Sequence, residues 1–180
     1  MRKTFRGTVL NGILMLAATL GCVAQKGSTP PPAAPVPGLI TSTKKIFIAN
    51  MGADNFSQSA FKKLLDPARP YNAFYAVMKS WNHYEIVDSP ADAELIFEIG
   101  FSAPIVQQGQ SAVTYGPEFN LAIVDGKTHV RLWTLAGPVE GAFRKATFEK
   151  NLDEGMSLLM EDLKKLTTPV AGRADASRAQ

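Results

Sequence analysis

The 180 residues contain a single cysteine, Cys22. One thiol excludes a disulfide framework and a cysteine-based zinc site, so the fold has to stand on its apolar core. There are only two histidines, His83 and His129, in separate segments without ligand spacing, and no metal or other cofactor is expected. The chain also lacks a Gly-x-x-x-x-Gly-Lys-Ser/Thr loop, a Gly-x-Ser-x-Gly elbow and a His-Glu-x-x-His helix. With no catalytic set in view, the sequence reads as a non-enzyme. An excess of one charge is missing too, although the isoelectric point near 9 suggests otherwise. Arg2, Lys3 and Arg6 supply the surplus; residues 22–180 hold 16 basic and 16 acidic side chains. Nucleic-acid binding needs a basic surface, so that class of partner is excluded as an expectation.

What is present begins with a three-part leader. Met1–Arg6 is basic, Val9–Leu20 is mostly apolar but too short for a stable span, and small Gly21 precedes Cys22. That layout is a secretory signal over residues 1–21. Thr19-Leu20-Gly21-Cys22 resembles a lipobox, the bacterial lipoprotein processing site, at which the cysteine is acylated. Thr19 and Leu20 depart from the usual residues, whereas the Gly-Cys pair fits. The competing reading is an ordinary signal peptide with an unmodified thiol. A lone cysteine closing an apolar run ahead of a linker favours lipidation of Cys22. Each buried CH₂ of an acyl chain contributes ~0.8 kcal/mol, and two or three chains hold a protein on a bilayer. The expected address is the cell membrane or outer membrane, the latter preferred because Val23 is not the Asp that commonly retains lipoproteins at the inner membrane.

Residues 22–43 carry Pro30, Pro31, Pro32, Pro35 and Pro37 among small residues, the composition of an extended tether of ~3.1 Å per residue. Residues 167–180 read as a tail. The domain is then 44–166. Lys44–Asn50 reads as a buried strand feeding a turn at 50–55, a place where α/β folds bind phosphate, though here one glycine stands without Lys or Ser support. A short helix stopped by Pro67 follows. Phe74, Val77, Met78 and Trp81 form a helical stripe opened by Pro70. Tyr84–Asp88 is a strand. Glu94–Phe101 alternates, with Leu95, Phe97, Ile99 and Phe101 on one face. Pro104–Pro117 looks like a loop. Phe119–Val124 and Val130–Leu135 flank Asp125-Gly126-Lys127-Thr128 as a hairpin. Phe148 to Leu166 repeats at helical spacing. This order predicts an α+β fold: a mixed sheet of about four to five strands, the first pair parallel, with two or three helices on one face. The other face, carrying Glu98, Asn120 and Arg131, is half polar.

Candidate functional residues are few. Trp81 and Trp133 read as core rather than as ligand platforms; parity puts Trp133 on the strand face of Arg131 and Leu135, toward the outer sheet face, and an exposed Trp133 there would anchor a partner. Gln107, Gln108 and Tyr115 lie in the longest loop and are candidates for partner contact. The carboxylate pairs Asp92/Glu94 and Asp153/Glu154 read as ordinary surface charge. Lys45-Ile46-Phe47-Ile48-Ala49-Asn50, Ser89-Pro90-Ala91-Asp92-Ala93-Glu94-Leu95-Ile96-Phe97-Glu98-Ile99 and Asp125-Gly126-Lys127-Thr128 leading to Leu132-Trp133 carry a resemblance to uncharacterised bacterial lipoproteins of the acidobacterial type. The element order is similar to periplasmic lipoproteins of the curli-secretion or penicillin-binding-protein-activator type. The resemblance implies no catalytic residues and a protein-binding role in the cell envelope. Expected partners are therefore a membrane, through lipid on Cys22, and another envelope protein. The alternative is a small-ligand or peptidoglycan binder using the 50–55 turn or the 104–117 loop.

Overall fold

The computed structural model describes residues 34–54, 65–109 and 113–168. The leader, Cys22, the tether as far as residue 33, most of the expected short helix before Pro67 and the tail beyond residue 168 lie outside the described residues.

The element order is α1 (Gly38–Ser42), β1 (Lys45–Asp54), α2 (Arg69–Trp81), β2 (Glu85–Ile86), a 3-10 turn at Pro90–Asp92, β3 (Leu95–Ser102), β4 (Ile105–Gln108), β5 (Val113–Tyr115), β6 (Glu118–Asp125), β7 (Arg131–Pro138) and α3 (Lys145–Thr167). Five strands form a sheet in the order β2-β1-β3-β6-β7, and β4 pairs with β5 in a separate two-stranded sheet. β1 runs parallel to both β2 and β3, while β3–β6 and β6–β7 are antiparallel. The mixed α+β sheet expected from the sequence is the one observed.

Alternation sets the layers. Leu95, Phe97, Ile99 and Phe101 of β3, Ile46 and Ile48 of β1, and Phe119, Leu121 and Ile123 of β6 are all fully or almost fully buried on the helix-covered face. The stripes of the two long helices meet them. From α2 come Phe74 and Met78, with Val77 and Trp81 half-buried; from α3 come Phe148, Leu152, Met156, Leu159 and Leu163. Asn82, at φ 52°, ends α2 in the left-handed conformation, and its N–H donates to Met78 O at 3.2 Å. Arg69 joins the helices by donating to Glu149 Oε2 at 3.1 Å and to Asp153 Oδ1 at 2.7 Å. Asp153 therefore tethers α2 to α3 rather than standing as plain surface charge.

Four features differ from the sequence expectation. Residues 38–42, at the end of the stretch read as tether, form α1, and Ile40 is buried in the main core. The segment 50–54 is strand rather than turn; β1 passes through a bulge between Asn50 and Gly52, where Gly52 takes φ +72° and its N–H donates to Asn50 Oδ1 at 2.9 Å. The expected loop at 104–117 contains the β4–β5 pair. Glu94 is a clamp, not idle charge. Its Oε2 accepts the N–H groups of Lys44 and Lys45 at 2.8 and 3.1 Å, which holds its carboxyl below the usual carboxylate range.

α3 lies against the edge strand through two glycines. A Cβ on Gly137 would meet Gly155 O at 2.7 Å, and one on Gly155 would meet Pro138 O at 2.8 Å and Val139 Cγ2 at 2.6 Å. The backbones touch because neither residue has a side chain. Gly155→Val is expected to lower the unfolding free energy by about 2 kcal/mol, whereas Leu158→Ala, at an exposed position on the same helix, changes it by less than ~0.5 kcal/mol; urea titrations of the full chain measure both.

Tyr84 is almost wholly buried against Trp81, His83 and Phe97. Burial pushes its phenol up to about 12, and the nearby Thr167 hydroxyl, which itself donates to Lys164 O at 3.1 Å, only partly opposes this. The Tyr84 hydroxyl has no well-formed hydrogen bond among the described residues. Above pH 10 the unfolded chain gives up this proton while the folded chain keeps it, so stability falls as pH rises from about 10 to about 12. Tyr84→Phe is expected to flatten that alkaline decline and to leave stability at neutral pH the same or slightly higher, as read by thermal melts across the pH series.

Candidate functional site

Two surfaces stand out. The first is a groove of about 330 Å³ on the sheet face away from the helices, lined by Met51, Gly52, Glu98, Gly100, Ser102, Asn120, Arg131 and Thr134 among others. Register brings these residues together. Glu98 pairs with Ala122, Gly100 with Asn120 and Ser102 with Glu118 across β3–β6, and Ala122 pairs with Thr134 across β6–β7. Gly100 leaves the floor open; a Cβ there would come within 3.3 Å of Met51 Cβ. Asn120 Nδ2 donates to Ser102 Oγ at 2.8 Å. Arg131 Nη2 sits 3.8 Å from Glu98 Oε2. The groove thus presents a guanidinium, a carboxylate, an amide and hydroxyls around a glycine floor. Beside it on the same face, Ile96, Ala122 and Val124 form a small apolar cluster with Phe47 and Ala49.

The second surface is the β4–β5 hairpin. All four residues of β4 are exposed, including Ile105, Val106, Gln107 and Gln108, and Val113 of β5 is exposed as well. Residues 99–117 contain no charged side chain. Val106 sits at the irregularity in the pairing, over Gly116, where a Cβ would meet its Cγ1 at 2.6 Å. Two short strands without a third are marginal as an independent sheet. This one is held at its root, where Gly116 N–H donates to Pro104 O at 2.8 Å and half-buried Tyr115 packs against the main core.

Of the residues singled out from the sequence, Gln107, Gln108 and Tyr115 come together on this hairpin. Trp133 does not join Arg131. A bulge in the β6–β7 pairing sets Ile123 opposite Trp133 but Val124 opposite Arg131, so Leu132 is the extra residue. Simple alternation would have put 131 and 133 on one face; the bulge reverses the parity. Arg131 reaches the outer groove, and Trp133, half-buried, packs against the main core on the helix side. Cys22 lies outside the described residues. His83 stacks on Trp81 with ring centroids 4.6 Å apart, and His129 occupies the β6–β7 turn at φ 57°. Among the described residues no group of three or more His, Cys, Asp or Glu side chains is placed to hold a metal ion. The groove was not foreseen in the sequence. Its signal was the polar residue that each of three strands carries toward the outer face, Glu98 on β3, Asn120 on β6 and Arg131 on β7.

No family model matches the chain, and no curated protein matches it. Among solved structures it is similar to a DUF4136 family protein from Bacteroides thetaiotaomicron (13% identity, 72% of this chain and 91% of that one, TM-score 0.43). It is also similar to lipoprotein GNA1162 from Neisseria meningitidis (11%, 68% and 99%, TM-score 0.38) and to the uncharacterised lipoprotein B from Nitrosomonas europaea (13%, 76% and 91%, TM-score 0.33). Bacterial lipoproteins thus stand among the structural neighbours; the acidobacterial and curli-secretion details of the resemblance have no support from them. Likenesses of this size assign neither family nor activity.

The Glu98–Arg131 pair is long and Arg131 is largely exposed, so it contributes roughly 0–1 kcal/mol. Arg131→Gln is expected to move the unfolding free energy by less than ~0.5 kcal/mol in a urea titration. Any loss of binding in that variant then reports on the groove and not on the fold.

Proposed function

We propose that this chain is an exported envelope lipoprotein, anchored through acyl chains on Cys22, whose non-enzymatic domain binds another protein. The observation that carries the binding reading is the β4–β5 hairpin. It exposes Ile105, Val106 and Val113 within an uncharged stretch, and it has no third strand among the described residues. Exposed large apolar side chains gathered on one short hairpin mark an interaction surface. The address rests on the leader, the Gly21-Cys22 junction and the proline-rich segment after it. The anchor holds the chain at the cell membrane or, in a cell that has one, the outer membrane, which Val23 favours because Asp at that position would retain the protein at the inner membrane.

The groove supports a second reading, in which the outer sheet face takes a small polar ligand such as a peptidoglycan fragment. Its volume, a few hundred Å³, is of the right order, and Arg131, Glu98, Asn120 and Ser102 offer complementary hydrogen-bonding groups. Among the described residues it has no exposed aromatic wall for a sugar to stack on, and the hairpin reading is preferred for that reason.

Cys22→Ala in the full chain, expressed in a bacterial host fed a labelled fatty acid, tests the anchor. The wild type is expected to take up label and sediment with membranes, and the variant to do neither. A variant that still labels and stays with membranes overturns the lipoprotein reading.

A further inference from the structure

The strand register separates the two ends of the domain. Lys45, Leu95 and Asp125 lie at one end of the sheet; Asp54, Ser102, Glu118 and Pro138 lie at the other. α1 finishes within three residues of the start of β1, so the chain enters at the first end. The β4–β5 hairpin continues from Ser102 and returns to Glu118, so it stands at the second. The eight residues of β3 between them span roughly 26 Å at ~3.3 Å each.

Edge strands in soluble proteins are commonly guarded by charge or proline. β4 reads Ile-Val-Gln-Gln and β5 reads Val-Thr-Tyr, so neither carries a charged residue or a proline within it. Each also has one edge without a strand partner among the described residues. Uncharged edges of this kind meet one another without electrostatic repulsion. A common anchor adds a geometric condition. Residues 23–35 reach at most ~45 Å when fully extended. Copies held through Cys22 by this same length of chain are confined within that reach of one bilayer, which raises the local concentration of one hairpin around another. β4 and β5 are antiparallel, so a neighbour in the same orientation presents its β5 antiparallel to β4.

We infer that the partner of the hairpin is a second copy of this chain, with β4 of one copy pairing edge to edge with β5 of the next. The inference rests on the lipid-anchored, protein-binding reading above and names its partner. The contact is head-to-tail: the edge used on one copy differs from the edge used on its neighbour, and each copy keeps one edge open for another. Main-chain hydrogen bonds hold such an added strand. Exposed Ile105, Val106 and Val113 supply the apolar contact.

Two differently tagged full-length chains, one Gln108→Cys on β4 and the other Thr114→Cys on β5, are co-expressed in a bacterial host and oxidised in intact cells. The expected product is a disulfide-linked pair carrying both tags, at least fivefold more abundant than the Gln108→Cys self-pair. Adding Val113→Lys to both chains is expected to reduce that pair at least fivefold, while Val113→Thr keeps it. A pair that forms equally well between two Gln108→Cys chains overturns the head-to-tail contact. Capture of a different protein by the hairpin cysteines overturns self-association and leaves the protein-binding reading standing. No capture by either cysteine overturns both.

Discussion

The structure depends on one constraint: β3 has to bury an unbroken row of large side chains on one face while satisfying its backbone on both edges. Leu95, Phe97, Ile99 and Phe101 are each at most 1% exposed, and β3 is hydrogen-bonded to β1 on one side and to β6 on the other. Burying each of these side chains contributes about 1.5–3 kcal/mol. A one-residue slip would turn all four to the outer face. The neighbouring strands have no freedom of register once β3 is set. Glu94, directly before it, pins the start of β1 through two N–H groups, and Asp125 caps the turn on the other side by accepting from Lys127 and Thr128. The helices follow, because α2 and α3 are the only long apolar stripes among the described residues able to cover that row.

The same strand determines the character of the outer face. Its alternate residues are Ile96, Glu98, Gly100 and Ser102, and the side chains opposite them on β6 are Val124, Ala122, Asn120 and Glu118. The first half of the face is apolar and closes into the small cluster with Phe47 and Ala49. The second half holds a glycine, an amide, a hydroxyl and a charge pair, and it stays open. The division runs along the strand, so the polar half lies toward the end from which the β4–β5 hairpin rises. Both candidate surfaces therefore lie toward one end of the sheet, and the chain's point of entry toward the other.

Much of this fold was legible in the sequence because its strongest signals are local. The alternation from Leu95 to Phe101, the turn residues Asp125-Gly126 between two β-rich runs, the stripe from Phe74 to Trp81 and the repeat from Phe148 to Leu166 each mark an element without reference to the rest of the chain. What failed was non-local or irregular. Ile40 docks on the core from within a proline-rich stretch whose composition reads as linker. β4 opens with two strong β formers, Ile105 and Val106, but they are followed by Gln107, Gln108 and Gly109, so the segment reads as loop until β5 pairs with it. Trp133 is core, as its residue type suggests, but parity puts it on the face of Arg131, because a bulge adds one residue between the two and counting alternate positions does not detect a bulge. The groove needed four strands in register before its residues became neighbours. The candidate residues Gln107, Gln108 and Tyr115 were legible as a surface segment, but not as an edge.

The clamp between Glu94 and the N–H groups of Lys44 and Lys45 joins positions about fifty residues apart in the chain. Sheet centres built from such distant segments close slowly, since a long loop has to be immobilised before any pairing rewards it. β1 has no strand partner until the chain through Glu85 has emerged, and the central pair is incomplete until β3 follows. In a nascent chain β1 therefore stays unpaired until Glu85–Ile86 and then Leu95–Ser102 have followed it. The early strand stays available to whatever machinery handles unfolded polypeptide until its two neighbours arrive.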